Sequence, residues 1–140
     1  MGSVDSRSGT QKIDTFLAAP AFAVVGASDD ERKFGHKCFV CYLQNGRKAF
    51  PINPKLQTVL GHAAYKSLKD LPEPVESVSI ITPPAVTETV VDEAIALGVK
   101  NLWMQPGAES KQAVAKAEEA GLNVIYGGPC LLVTLGYFDS

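Results

Sequence analysis

The sequence of 140 residues contains no uninterrupted apolar run of the roughly 18 residues that a transmembrane helix needs, so we expect no membrane span. Its first ten residues also lack the apolar core of a secretory signal. We therefore expect residues 1–12 to form a flexible N-terminal tail. Gly2 and Ser6 in this tail fit the loose pattern for N-myristoylation, but an ordinary disordered end is the simpler interpretation.

The sequence also has few cysteines and a small net charge. The three cysteines, Cys38, Cys41 and Cys130, are an odd number in a chain long enough to bury a core, which favours free thiols in a reducing cytoplasm. The formal net charge is only −2, so the whole molecule should not attract nucleic acid. Residues 32–55 nevertheless contain six basic residues and no acid. This local positive charge suits a small polyanion, although a solvated basic face would have the same composition.

The sequence does contain a regular alternation of strand-like apolar runs with helical patterns. The expected strands are residues 22–25, 48–52, 77–81, 101–104 and 122–126. Such alternation predicts an α/β fold, a Rossmann-like doubly wound sheet of five parallel strands with helices on both faces. We expect the strand order 3-2-1-4-5 in a single domain over residues 13–140.

Ligands of such sheets lie beyond the carboxyl ends of the strands. The first strand ends in Gly26-Ala27-Ser28, and Lys33 and Gly35 follow before the next helix, without a full GxGxxG pattern. Small residues here let backbone N–H groups approach a pyrophosphate, while Ser28 can donate a hydrogen bond and Lys33 supplies a cation. Ordinary strand-to-helix turns use similar residues, so the composition of one turn alone does not decide the matter.

The end of the second strand separates the candidate cofactors. Dinucleotide sites place an acid there for the ribose hydroxyls, but this chain has Asn53, Pro54 and Lys55. A missing acid and an added cation disfavour NAD and favour a ribose that carries a phosphate, as in NADP or coenzyme A (CoA). Asn53 can still hydrogen-bond a hydroxyl group.

One cysteine pattern and one histidine each have two competing interpretations. Cys38 and Cys41 form a C-x-x-C pattern, but both fall inside a predicted helix, which favours buried packing over a redox pair. His36 follows the phosphate loop, where it either donates to a phosphate or caps the helix.

Four stretches, taken in order, resemble the CoA-binding domain family, the Rossmann-like module that also forms the amino-terminal part of the succinyl-CoA synthetase alpha subunit. They are VVGASDDERKFG, PINPKLQTVLG, ITPPAVTETVVDEAIALGVKNLWMQPGAES and GGPC. The resemblance implies a site for CoA or acyl-CoA on the strand ends. It implies that Gly26, Ser28 and Lys33 contact the phosphates, in a loop that Ala27 and Gly35 complete. Asn53, Pro54 and Lys55 are expected beside the ribose 3′-phosphate. Thr82 and Pro83 are expected along the path from adenosine to pantetheine, and Gln105 across the cleft.

The leading functional hypothesis is therefore a stand-alone CoA or acyl-CoA binding protein, without catalysis of its own, acting as a carrier, a sensor or a subunit of an acyl-CoA enzyme. The synthetase relays phosphate through a histidine in a second domain, so we do not expect a complete ligase reaction from this chain alone. The alternatives are an NADP-dependent oxidoreductase and a nucleotide-binding regulatory module. A homodimer or an unknown protein partner is compatible with each. Cys130 either faces the cleft, near the CoA thiol, or packs under the last turn.

Overall fold

The computed structural model describes residues 8–137. Gly2 and Ser6, the residues of the myristoylation pattern, lie outside them. Helix α1 (Gly9–Leu17) begins at a capping box. Gln11 N–H donates to Ser8 Oγ at 3.2 Å, and Ser8 N–H donates to Gln11 Oε1 at 2.8 Å. The predicted tail boundary at residue 12 is therefore wrong, because the cap starts the helix at Gly9.

The remaining elements alternate as the apolar pattern predicts. In chain order they are β1 (Phe22–Val25), α2 (Phe34–Gln44), β2 (Ala49–Ile52), β3 (Thr58–Val59), β4 (His62–Ala63), a 3-10 turn (Leu68–Asp70), β5 (Ser77–Ile80), α3 (Pro84–Ala96), β6 (Asn101–Met104), α4 (Lys111–Glu119), β7 (Asn123–Ile125) and a π-helical turn (Leu132–Gly136). None of the helices within residues 8–137 is long and apolar enough to cross a bilayer.

Five strands form one parallel sheet in the order β2-β1-β5-β6-β7, which confirms the predicted Rossmann-like α/β fold. The predicted order 3-2-1-4-5 is wrong in one respect. Counted over these five strands the order is 2-1-3-4-5, because β5 pairs with β1 and not with β2.

Pro51 explains why β2 lies at the edge of the sheet. The carbonyl groups of Lys48 and Ile52 accept bonds from β1, so the backbone of Pro51 faces the opposite side. Proline has no N–H to donate to a further strand, and it is confined to edge strands for that reason. The outer carbonyl of Pro51 instead accepts from the N–H of Tyr65 at 3.0 Å.

Apolar side chains cover both faces of the sheet, as predicted. On one face, α3 and α4 bury residues such as Val91 and Ala117 against Val78 and Leu102. On the other face, α1, α2 and the C-terminal turn enclose an aromatic cluster that includes Phe16, Phe22, Tyr42 and Trp103.

A ladder of buried polar side chains joins α1 to the amino ends of the strands. Asn101 Nδ2 donates to Ser77 Oγ at 3.0 Å, and Asn123 Nδ2 donates to Asn101 Oδ1 at 3.0 Å. The ladder ends on two carbonyl groups of α1, because Ser77 Oγ donates to Phe16 O and Asn123 Nδ2 donates to Lys12 O. The bonds satisfy groups that would otherwise be buried without partners.

Candidate functional site

The carboxyl ends of β1, β2 and β5 meet at one edge of the sheet, which we call the rim: residues 26–36, 53–55 and 81–83. Gly26 directly follows β1 with φ +98°, a backbone conformation that residues with a Cβ avoid. A Cβ at this position would also overlap the carbonyl oxygen of Ile81. Only glycine therefore lets the end of β1 pass this close to the end of β5.

Gly35 lets helix α2 approach the same point. A Cβ on Gly35 would overlap the carbonyl oxygen of Gly26, so the first turn of α2 rests on the loop that follows β1. Lys33 is the N-cap residue of α2 and makes no side-chain capping bond. The first N–H groups of a helix have no acceptor within the helix, and the helix dipole gives this end a partial positive charge. The start of α2 therefore presents free backbone donors to the rim, an arrangement that can bind phosphate.

Side chains hold the loop between these two glycines in place. Asn53 Nδ2 donates to Ala27 O at 2.8 Å, and His36 Nδ1 lies 3.0 Å from Ser28 O. Asp30 N–H donates to Ser28 Oγ at 3.0 Å, which leaves the Ser28 hydroxyl hydrogen free for another acceptor. The ring of His36 thus supports the loop, in addition to starting α2. The Ala27 side chain is buried, so this residue offers only its backbone to the rim.

The charges at the rim are partly neutralised within the chain. Arg32 binds both carboxylate oxygens of Asp30, and these bonds lower the Asp30 pKa to about 2. Among residues 8–137, no ion pair joins Lys33 or Lys55 to an acid, and both side chains are exposed. Lys33 and Lys55 are therefore exposed cations beside the loop and beside Asn53, while Asp29 and Glu31 lie on the same loop, so the formal charge of the rim is zero.

The other predicted site residues lie at different depths. Thr82 Oγ1 is 2.7 Å from Thr87 Oγ1 in the first turn of α3, and Pro83 is exposed as the N-cap residue of that helix. Gln105, which directly follows β6, is 0% exposed. Its Oε1 accepts from the N–H of Leu131 at 3.0 Å, while its Nε2 has no partner among the described residues.

Side chains of β6 and of the residue that follows it hold the segment after β7 in place. Trp103 Nε1 donates to Pro129 O at 3.0 Å, next to the bond between Gln105 and Leu131. Cys130 lies between these two anchors as a half-buried free thiol. Cys38 and Cys41 are buried in the cluster around α2, which confirms the packing interpretation of the C-x-x-C pattern. Burial raises the pKa of the Cys38 thiol well above its usual value and raises the pKa of Cys41 to about 11.

The sequence analysis missed the hairpin of β3 and β4, which adjoins the rim. Leu60 lies in the turn of this hairpin, and its N–H donates to Asp29 Oδ1 at 2.9 Å. The hairpin is therefore bonded to the loop after β1. The turn between Val59 and His62 has two residues, and glycine in the second position is typical of a hairpin. Leucine in the first position is not typical, so the pattern does not predict this hairpin.

The rim is an open shelf and not a closed cavity. A concavity of about 240 Å³ beside Leu68 and Val99 lies near the amino ends of the strands, and so does one of about 480 Å³ beside Asn101 and Asn123. The rim is the stronger candidate, since it combines a helix amino terminus, loop backbone beside it and two exposed cations without an ion pair among residues 8–137. Exposure along the rim leaves room for an extended anionic ligand.

Comparison with known proteins supports one family. A family described as CoA binding domain matches residues 20–136. The chain is 29% identical over 124 residues to the alpha subunit of an ADP-forming acetate–CoA ligase II of Pyrococcus furiosus, a match that covers 81% of this chain and 27% of the subunit. The chain thus spans about a quarter of that relative's length.

Solved structures agree with this relationship. A conserved hypothetical protein of Pyrococcus furiosus is 34% identical with a TM-score of 0.76, and the match covers 81% of this chain and 98% of that one. A hypothetical protein of Pyrococcus horikoshii is 28% identical with a TM-score of 0.84, covering 95% of both chains. Since the family match extends from before β1 into the last helical turn, the chain belongs to the CoA binding domain family.

Proposed function

We propose that this protein binds CoA or an acyl-CoA at the rim and does not catalyse a reaction by itself. One observation carries the proposal: the contact of Gly35 with Gly26 brings the amino terminus of α2 onto a loop whose neighbouring cations, Lys33 and Lys55, form no ion pair with an acid among residues 8–137. A diphosphate and a ribose phosphate need donors and positive charge at two separate points. The rim offers both.

The proposed contacts follow the order of the strand ends. The backbone from Gly26 to Ser28, together with Lys33, binds the diphosphate, with Ala27 and Gly35 shaping the loop. Asn53, Pro54 and Lys55 surround the ribose 3′-phosphate, while Thr82 and Pro83 border the path between adenosine and pantetheine. These positions agree with the exposure of Lys33, Lys55 and Pro83.

Gln105 has a less direct place in this proposal. Its buried Nε2 lacks a partner among the described residues, and such a group costs about 1–3 kcal/mol when it stays unpaired. A carbonyl oxygen of pantetheine would satisfy it, provided that the segment at Cys130 moves aside.

A binding role is compatible with the contacts of both histidines. His36 contacts the Ser28 carbonyl, and the His62 ring lies edge-on to Phe39 with centroids 5.3 Å apart. The Pyrococcus furiosus relative is the alpha subunit of a ligase, which favours a role as a carrier, a sensor or a subunit beside other proteins. The three free thiols fit a reducing compartment such as the cytoplasm.

Isothermal titration calorimetry with CoA, 3′-dephospho-CoA, NADP and NAD tests the proposal. We expect CoA to bind more tightly than the other three. Lys55→Met should weaken CoA binding about tenfold and leave 3′-dephospho-CoA unchanged, because a charge-assisted bond contributes about 1.5–3 kcal/mol. Lys69→Met, an exposed lysine on the 3-10 turn, is the control. Tighter binding of NADP, or no heat with any ligand, would contradict the proposal.

A further inference from the structure

The turn between β3 and β4 holds an exposed leucine in a backbone conformation that leucine avoids. Leu60 has φ +51° and Gly61 has φ +78°, the pattern of a type I′ turn. Asparagine, aspartate or glycine ordinarily takes the first of these positions. Leu60 is 46% exposed, so nearly half of the residue stays accessible at the turn. A strained and exposed apolar residue points to a function.

Several contacts fix this turn at the rim. Leu60 N–H donates to Asp29 Oδ1 at 2.9 Å, within the loop that follows β1. On its other side, the hairpin runs into Tyr65, whose carbonyl accepts from Asn53 N–H at 2.9 Å. Val59 is buried beside α2. Leu60 therefore stands at a defined place next to the loop and next to the end of β2.

We propose that Leu60 is the apolar contact for the adenine ring of the bound ligand. This inference rests on the proposed function. If Lys55 binds the 3′-phosphate, the adenine attached to the same ribose lies within a few ångströms of residues 53–55. Adenine is flat and weakly polar, so it needs an apolar surface there. The exposed large hydrophobic residues among residues 8–137 are Leu60, Val86, Leu97, Tyr126 and Val133, and of these Leu60 is the one whose backbone N–H bonds the loop after β1.

The substitution Leu60→Asn separates this role from a structural one, because the two readouts move in opposite directions. Asparagine tolerates positive φ, so the thermal unfolding midpoint should rise by about 2–6 °C. Removing the apolar side chain should weaken CoA binding about fivefold or more. Leu60→Met keeps the apolar bulk and should bind CoA within about twofold of the unmodified protein. Leu97→Asn, a 48% exposed leucine at the end of α3, should leave CoA affinity unchanged.

Fragments of the ligand identify the contact. Leu60→Asn should weaken adenosine 3′,5′-bisphosphate as much as CoA and should not change the affinity for 4′-phosphopantetheine, which lacks the base. If Leu60→Asn binds CoA as tightly as the unmodified protein, or weakens both fragments alike, the adenine contact is overturned while the CoA site itself stands. If the unmodified protein binds no CoA, the proposed function fails first and this inference fails with it.

Discussion

At the scale of single residues, the rim depends on two glycines for different reasons. Gly26 needs both its positive φ and the absence of a side chain, whereas Gly35 sits in an ordinary helical turn and needs only the space. The second requirement places the amino terminus of α2 against the loop. Gly35 is needed because its backbone contacts the loop, and not because of its own backbone conformation. Adding a single methyl group at this position therefore tests the requirement.

We expect Gly35→Ala to destabilise the protein by about 1–3 kcal/mol, the usual cost of forcing a methyl group into a packed site. The first turn of α2 would have to move away from Gly26 O, and CoA affinity should fall as well. Gly9→Ala is the matched control, because a Cβ on Gly9 meets nothing within 4 Å and its φ is not positive. Urea unfolding and calorimetry measure the two effects. A Gly35→Ala protein with unchanged stability and affinity would show that the close contact has no role.

The three thiols should differ in reactivity. Alkylation needs the thiolate, and burial raises the pKa of Cys38 and Cys41 and also blocks access to them. At pH 8 we expect iodoacetamide to modify Cys130 alone in the folded protein and all three cysteines in urea. Mass spectrometry of peptides after timed quenching checks this. Modification of Cys38 before Cys130 would contradict the packing described for α2.

Sequence position predicted which residues lie near the rim, but not how deep each one lies. Asn53 and Lys55 could be assigned because parallel strands end at one edge of the sheet. Gln105 follows its strand in the same manner, yet it turns inward to bind the N–H of Leu131, 26 positions away. Depth of this kind depends on contacts between distant parts of the chain, and no local pattern records them.

At the scale of elements, the alternating apolar pattern predicted the strands and helices well because each is buried on a recognisable face. The order of the strands was a different problem. Pro51 marks β2 as an edge strand, and reading it in that way would have placed β5 beside β1. The hairpin of β3 and β4 escaped prediction since its strands are only two residues long and Leu60 is atypical of its turn.

The polar ladder at the amino ends should contribute measurably to stability. Replacing Asn123 with leucine leaves Asn101 Oδ1 and the carbonyl of Lys12 without their donor, which should cost about 1–3 kcal/mol. Asn123 Oδ1 itself has no partner among the described residues, so its removal offsets part of that loss. Gln112→Ala on the exposed face of α4 serves as the control. A change below about 0.5 kcal/mol in urea unfolding would show that the ladder is dispensable.

At the scale of the whole molecule, the structure divides the basic segment between the two ends of the sheet. Arg47 donates to the Leu17 carbonyl and Lys48 pairs with Glu73, both near the amino ends of the strands. Lys33 and Lys55 remain at the carboxyl rim. The cations of this segment are therefore not gathered at one place, and an anionic ligand at the rim would be bound by Lys33, Lys55 and backbone N–H groups and not by a large positive field.

The most direct test of the central claim, that the carboxyl rim binds CoA, is to map backbone amide chemical shifts in NMR spectra as CoA is added. We predict that the largest changes fall on residues 26–36 and 53–55, with smaller changes at Leu60 and Thr82. Amides at the amino ends of the strands, such as those of Asn101 and Asn123, should not move. Shifts confined to those amino ends, or no shifts at millimolar CoA, would contradict the account.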